Sequence, residues 1–460
     1  MAAHPNLSNE TGGAPSTATS TPAAAARAGA RRNVVDYELL FDCVHCGLCL
    51  EACPTYLVTR AEMDSPRGRV YLMKALAEGT LELDADAVRH LDLCLECRGC
   101  ETACPSGVRY GQLIEHARVY VEQTWRRGIG ERLRNRVIGA IFPYPRRLRA
   151  ALAPLRFAER TGLRALLRRV APAALRDWLD LLPQLDREAA ALLPESAATG
   201  ASNEVTGPVA VVHHGCVAQV LTESANLNSE RALAAAGYRI AALERTVCCG
   251  ALDIHNGNRK RALEFARANV RALRQSGAEA IVSAASGCSA VIAGYGELLK
   301  DDVEFAGDAR EVSRRVADLS SLMLGREDNP VRNPFRATVT YHDSCHLVHG
   351  LGVREAPRQL LRSIPGVRLV EMNESDLCCG SAGSYNLTER AMARELARRK
   401  ADNIIATGAD YVVLSNPGCE FQIAAELARR GSKIRAVHLA DFLALAANAG
   451  PSGKTAGQLK

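Results

Sequence analysis

Cys43, Cys46, Cys49 and Cys53 follow the spacing C-x2-C-x2-C-x3-C and close on Pro54; Cys94, Cys97, Cys100 and Cys104 repeat it and close on Pro105. Three thiolates two residues apart can wrap a short loop around one iron–sulfur cubane, each reaching a different iron. The fourth projects away along the following segment, and in this arrangement it ligates the other cluster. The spacing therefore predicts one [4Fe–4S] cluster on Cys43, Cys46, Cys49 and Cys104, and a second on Cys94, Cys97, Cys100 and Cys53. Proline after the fourth cysteine biases that cysteine to extended backbone, and Gly47 and Gly99 let the chain approach inorganic sulfide. A pair of zinc sites would need only two Cys-x2-Cys pairs each and would leave the third spacing and the prolines unexplained. Between the two sets, Ser65 or Asp64 before Pro66 marks a helix start. Arg67 and Arg69 behind it either offset cluster charge or decorate a solvated first turn.

A further eight cysteines form an internal duplication. Cys216, Cys248, Cys249 and Cys288 recur as Cys345, Cys378, Cys379 and Cys419, at offsets of 129, 130, 130 and 131 residues. Such constant spacing marks a repeated unit. Each half alternates short apolar runs that end at a cysteine ("VAVVHHGC", "AIVSAASGC"; "ATVTYHDSC", "YVVLSNPGC") with helical stretches closed by glycine ("RKRALEFARANVRALRQSG", "RAMARELARRKADNIIATG"). That order predicts a parallel sheet covered by helices, with sites at the carboxyl ends of the strands. Gly250 and Gly380 follow the vicinal cysteines and suit a tight turn. His213, His214, His342, His346 and His349 lie nearby as candidate ligands, proton donors or ordinary loop hydrogen-bonders.

The elements around these residues divide the 460-residue chain into six stretches. They are a tail (1–33), a helical ferredoxin-type domain (34–125), a basic helical connector (126–205), two α/β modules (206–330 and 331–447) and a short C-terminal tail (448–460). A multidomain protein of this size needs no disulfides for stability, and sixteen cysteines without a recognisable export signal favour metal chemistry in a reducing cytoplasm. Residues 126–176 carry fourteen Arg against two Glu, a local +12, while the whole chain is +6, leaving about −6 for the rest. This connector has an apolar stripe of Leu152, Leu155, Leu163, Leu166, Leu167 and Val170, broken by Pro154 and Pro172 into short helices. It could cap the α/β region, dock an acidic partner, or lie on the inner face of a membrane. Nucleic acid is excluded as a partner by the acidic remainder and the lack of a binding motif, and no apolar run approaches the length of a membrane span.

Taken together, "CVHCGLCLEACPTY", "DSPRGRVYLMK", "CLECRGCETACPSGVRY", "CCGALDIHNG", "SGCSAVIAGYGELLKDD", "LCCGSAGSYNLT" and "SNPGCEFQIA" resemble the iron–sulfur subunit of glycolate oxidase (glycolate dehydrogenase) from about residue 40 to 445. The resemblance implies an electron-transfer subunit with no catalytic residues of its own, since no flavin-binding G-x-G-x-x-G follows a strand here. Partner subunits with FAD would oxidise glycolate, and electrons would pass to a quinone or another acceptor. Iron–sulfur subunits of lactate or glycerol-3-phosphate dehydrogenases share this architecture, as do heterodisulfide-reductase-like thiol enzymes. In the latter, the repeated cysteine-rich (CCG) modules carry five cysteines ending in C-x-x-C. Here Cys288 is followed by Ser289, Ala290 and Val291, and Cys419 by Glu420, Phe421 and Gln422. Each module thus offers four thiols, which could hold a further iron–sulfur cluster, zinc, a redox dithiol, or a purely structural arrangement.

Overall fold

The computed structural model describes residues 33–163, 170–171, 192–193, 207–243, 247–324 and 334–449. The N-terminal tail before residue 33, Leu166, Leu167, Pro172 and the last residues of the C-terminal tail lie outside the described residues.

Helices α1 (Pro54–Thr59), α2 (Pro66–Glu78), α3 (Ala85–Asp92), α4 (Gly99–Thr102) and α5 (Tyr110–Thr124) build the ferredoxin-type region. Pro54 ends its cluster loop at a helix start, where a missing N–H costs nothing, whereas Pro105 enters a turn ahead of α5. Cys53 is extended at φ −95°, ψ 111° and caps α1, with Pro54 as its first residue. Ser65 caps α2, its hydroxyl accepting from the Gly68 N–H at 3.0 Å, and Gly79 closes that helix at φ 72°. Met73, Leu76, Leu91, Leu113 and Ile114 fill the core between α2, α3 and α5.

In the connector, α6 (Ile129–Ile141) is followed by α7 (Pro145–Arg160). Pro154 does not break α7; it sits inside the helix. Its ring removes the bond to the Ala150 carbonyl, and Ala150 is exposed, so water can satisfy that group. Leu148 and Leu152 pack on Val220. Arg149 and Arg156 donate to the Gln219 and Val220 carbonyls at 3.0 and 3.2 Å. This part of the connector is a cap over the first module, whereas Leu163 and Val170 are exposed.

Strands β1 (Val209–Val212), β2 (Arg239–Ala241) and β3 (Ala280–Val282) form a parallel sheet in the order β2-β1-β3. Strands β4 (Ala337–Tyr341), β5 (Val367–Leu369), β6 (Tyr411–Leu414) and β7 (Arg435–His438) form the second, ordered β5-β4-β6-β7. The pairing repeats: Val212 pairs with Val282 in one sheet as Tyr341 pairs with Val413 in the other. Helices α8 (Arg259–Gln275) and α9 (Ser286–Ala293) cover the first module, and α10 (Arg390–Ala406) and α11 (Pro417–Arg429) hold the same places in the second. One core joins the modules, with Phe335, Tyr411 and Phe442 in edge and tilted ring contacts. The counterpart of β7 in the first module is a single parallel bridge, Val316 beside Ile281 of β3.

Gly257 joins the ferredoxin-type region to the first module. Its φ is +72° and a Cβ there would collide with the Arg118 carbonyl. Gly257→Ala pays both a left-handed backbone and a steric overlap, so we expect a loss of about 2–4 kcal/mol in urea unfolding. Gly277→Ala, equally left-handed but facing open space, should lose no more than about 1–2 kcal/mol.

Candidate iron–sulfur sites and the cysteine-rich edge

The two cysteine loops share one backbone path. Fifty-one residues apart, His45 and Glu96 have φ 54°, and Gly47 and Arg98 have φ 87° and 61°. These left-handed turns aim successive N–H groups inward, a concavity suited to sulfide and thiolate. The residue matching Gly47 is therefore Arg98. Gly99 instead begins α4, and what it spares is contact: a Cβ there would lie 3.1 Å from the Ala52 carbonyl oxygen and 3.5 Å from His349 Nε2.

Cys43, Cys46, Cys49 and Cys104 line one cavity together with Gly47, Arg67 and Tyr110. Cys53, Cys94, Cys97 and Cys100 line a second with Thr55, Arg69, Glu96 and Tyr110. Pro66, Cys100 and Tyr110 belong to both walls, so the two cavities are immediate neighbours. Each crosslinks the loops: Cys100 and Cys104 of the second loop line the first cavity, and Cys53 of the first loop lines the second. The donors suit an anionic cluster: the Glu96 N–H lies 3.3 Å and the Tyr110 hydroxyl 3.7 Å from Cys94 Sγ. Burial pushes the Cys49 thiol up to about 11 and also raises Cys97 and Cys100. These three thiols thus hold their protons until iron replaces them.

The cavities differ in surroundings. Around the first, Cys46 is exposed, Val44 and Leu48 are 67% and 61% exposed, and Phe41 and Tyr71 are also open to solvent. Arg67 lies over this loop, held by Glu62 at 2.6 Å and donating to the His45 carbonyl at 3.3 Å. Around the second, Cys53, Cys94 and Cys100 are buried. Arg69, only 1% exposed, donates to the His90 carbonyl at 2.7 Å and to Thr55 Oγ1 at 3.1 Å, with Asp64 4.0 Å away. Thr55 Oγ1 is in turn 3.2 Å from Cys53 Sγ. Burial opposes the Arg69 charge, but Tyr110, Cys94, Cys53 and Asp64 outweigh it. Of the two arginines, Arg69 is the buried cation and Arg67 the partly solvated one.

Glu96, Arg118 and His255 form a buried network that sequence reasoning did not single out. Glu96 Oε2 accepts from Arg118 at 2.8 Å and lies 2.6 Å from His255 Nδ1. Burial raises the Glu96 carboxyl, yet His255, Arg118 and Arg98 together hold it well below the usual range. Its partners lie 22 and 159 residues away, so no local pattern could reveal them. Thr102 Oγ1 also meets His349 Nδ1 at 2.9 Å, and the Tyr385 hydroxyl donates to the Leu93 carbonyl at 2.9 Å. These bonds dock the second loop onto both α/β modules.

All eight remaining cysteines gather at the carboxyl edges of the two sheets. In the first module Cys216 Sγ is 3.6 Å from Cys248 Sγ, and Cys249 Sγ is 3.2 Å from Cys288 Sγ. Gly250 and Gly380 have φ 90° and 89°, as their place after the vicinal pairs requires. In the second module, a ring nitrogen of His342, Cys379 Sγ and Cys419 Sγ lie within 4.8 Å of one another. Cys345 and Cys378 share a buried cluster with Leu93, Leu95 and Cys97, which brings this module against the second cavity. The other histidines are engaged: His213 Nε2 with the Val247 carbonyl at 3.1 Å, His214 with Glu230 at 2.8 Å, and His346 Nδ1 with Cys345 Sγ at 3.6 Å.

Comparison with known proteins places these features together. A 4Fe-4S dicluster domain matches residues 40–108, a cysteine-rich domain matches 210–293 and 339–424, and the linker region of glycolate oxidase iron-sulfur subunits matches 130–187. The chain is 37% identical to the probable glycolate oxidase iron-sulfur subunit of Bacillus subtilis (strain 168) over 90% of its length and 95% of the relative's. It is 34% identical to the glycolate oxidase iron-sulfur subunit of Escherichia coli (strain K12), covering 84% and 90%. Lactate utilization protein A of Bacillus cytotoxicus is 29% identical, over 45% of this chain and 86% of that one.

Proposed function

Because the chain belongs to the glycolate oxidase iron–sulfur subunit family and is an electron-transfer subunit of an oxidoreductase, we propose that it accepts electrons from FAD-bearing partner subunits that oxidise glycolate to glyoxylate, and delivers them to a quinone or another acceptor. Cys43, Cys46, Cys49 and Cys104 hold one [4Fe–4S] cluster, and Cys94, Cys97, Cys100 and Cys53 the other; bound there, the clusters supply one-electron storage and transfer. The observation that carries this reading is the shared wall of the two cysteine-lined cavities at Pro66, Cys100 and Tyr110.

Phe41, Val44 and Leu48 make an apolar rim around the exposed Cys46, which suits the face where a redox partner docks. A second apolar row, Ile129, Leu133 and Val137, is exposed on α6. Its flanking arginines, Arg132 and Arg136, favour an acidic partner subunit or an anionic membrane surface. Among the described residues no helix is long and apolar enough to cross a membrane. A cytoplasmic protein, peripheral at the inner membrane face, fits these features.

The test is isolation of the tagged chain from its native cell under anaerobic conditions. A flavoprotein should accompany it, and added glycolate should bleach the visible cluster absorption and raise the EPR signal of reduced clusters. Isolation without a flavoprotein, or clusters that lactate reduces and glycolate does not, would overturn the reading. Lactate-utilisation relatives, matching only about half of this chain, make lactate the second substrate to try.

A further inference from the structure

We propose that His342, Cys379 and Cys419 bind one zinc ion in the second α/β module, with Cys378 as the fourth ligand, separate from the two cubanes. Zinc is four-coordinate with bonds of about 2.0–2.3 Å to nitrogen and sulfur, so its ligand atoms lie within about 4 Å of each other. A ring nitrogen of His342, Cys379 Sγ and Cys419 Sγ fall within 4.8 Å, a spacing for one ion rather than for ligands spread over the corners of a cubane.

The imidazole is prepared for this role. His342 is fully buried, and Nδ1 is 3.2 Å from the Ser375 carbonyl. That bond requires the proton on Nδ1 and leaves the Nε2 lone pair free to coordinate, the usual outer-shell device for a metal-bound histidine. Nε2 has no hydrogen-bond partner, an expensive state for a buried polar atom unless something coordinates it. Cys419 sits in the first turn of α11 and accepts from Asn416 Nδ2 at 3.6 Å. Cys378, buried directly before Cys379 in the chain, stands outside the 4.8 Å group and would turn in as the fourth ligand when the ion binds.

Charge supports the same count. Three thiolates, a neutral imidazole and a divalent ion carry −1. Lys400 supplies a buried +1 close by, its ammonium donating to the Glu374 and Ser375 carbonyls. In the first module the corresponding residue is neutral Asn269, which donates to the Cys248 carbonyl at 2.9 Å, and among the described residues no comparable ligand group forms there. The sequence duplication is thus asymmetric in the chemistry it offers.

Metal analysis of the complete chain tests this independently of glycolate oxidation. We expect about eight iron from the cubanes and about one zinc per chain, with a zinc-edge X-ray absorption spectrum showing a sulfur shell near about 2.3 Å and a nitrogen shell near about 2.0–2.1 Å. His342→Ala should lose most of the zinc while the reduced-cluster EPR spectrum stays unchanged, and His342→Cys should keep it. If His342→Ala does not accumulate as folded protein, Cys419→Ser carries the same comparison. Equal zinc in wild type and both variants, no zinc in the wild type, or additional iron with matching sulfide in its place would overturn the assignment.

Discussion

Replacing Cys53 by alanine is expected to remove the cluster held by the other loop, leaving iron near about four per chain instead of about eight. In sequence Cys53 belongs to the first set, four residues after Cys49. In space it lines the cavity of Cys94, Cys97 and Cys100, its thiol 3.2 Å from Thr55 Oγ1 and 3.6 Å from the Asp64 carbonyl oxygen. Pro54 opens α1 directly behind it and carries the chain away from its own loop. Alanine is preferred to serine because a serine oxygen can still ligate iron. EPR of the reduced protein decides the pairing: Cys53→Ala and Cys97→Ala should leave one and the same residual signal, and Cys46→Ala a different one. Matching signals from Cys53→Ala and Cys46→Ala would refute it.

Arg69→Met is expected to have the next largest effect. The guanidinium is enclosed by Thr55, Asp64 and the His90 carbonyl at the wall that carries Cys53 and Cys94. Methionine fills similar space but leaves the buried Asp64 with only His90 at 2.7 Å and leaves the His90 carbonyl without this donor. Removing one member of such a buried set costs about 3–5 kcal/mol, read as a lower unfolding midpoint. The lost positive charge also favours the oxidised cluster, so the potential of the cluster in the second cavity should fall by roughly 60 mV, a tenfold step for a one-electron couple. Arg69→Lys should recover the potential better than the stability, because lysine keeps the charge and loses the planar fork. Unchanged potentials in Arg69→Met at full iron content would show that the arginine is structural only.

Much of this protein was legible along the chain. The cysteine spacings named the cluster chemistry, since a short loop can present three thiols to one cubane only at such intervals. The strands β1, β3, β4 and β6 and the helices α8 and α10 stood out because apolar period and closing glycines are local properties. The duplication was plain from offsets of 129 to 131 residues. Other features depended on the fold. Pro154 reads as a helix break, yet α7 continues through it because its exposed side lets water replace the missing bond. Arg67 and Arg69 are alike in sequence, and only the packing of α2 against α3 buries the second. The Glu96–His255 contact spans 159 residues. The two modules look equivalent by their cysteines, whereas the turn of His342, the Ser375 carbonyl and Lys400 set the second apart. Sequence determines which donors exist and at what local spacing; direction, burial and counter-charge come from segments that meet only when the chain is folded.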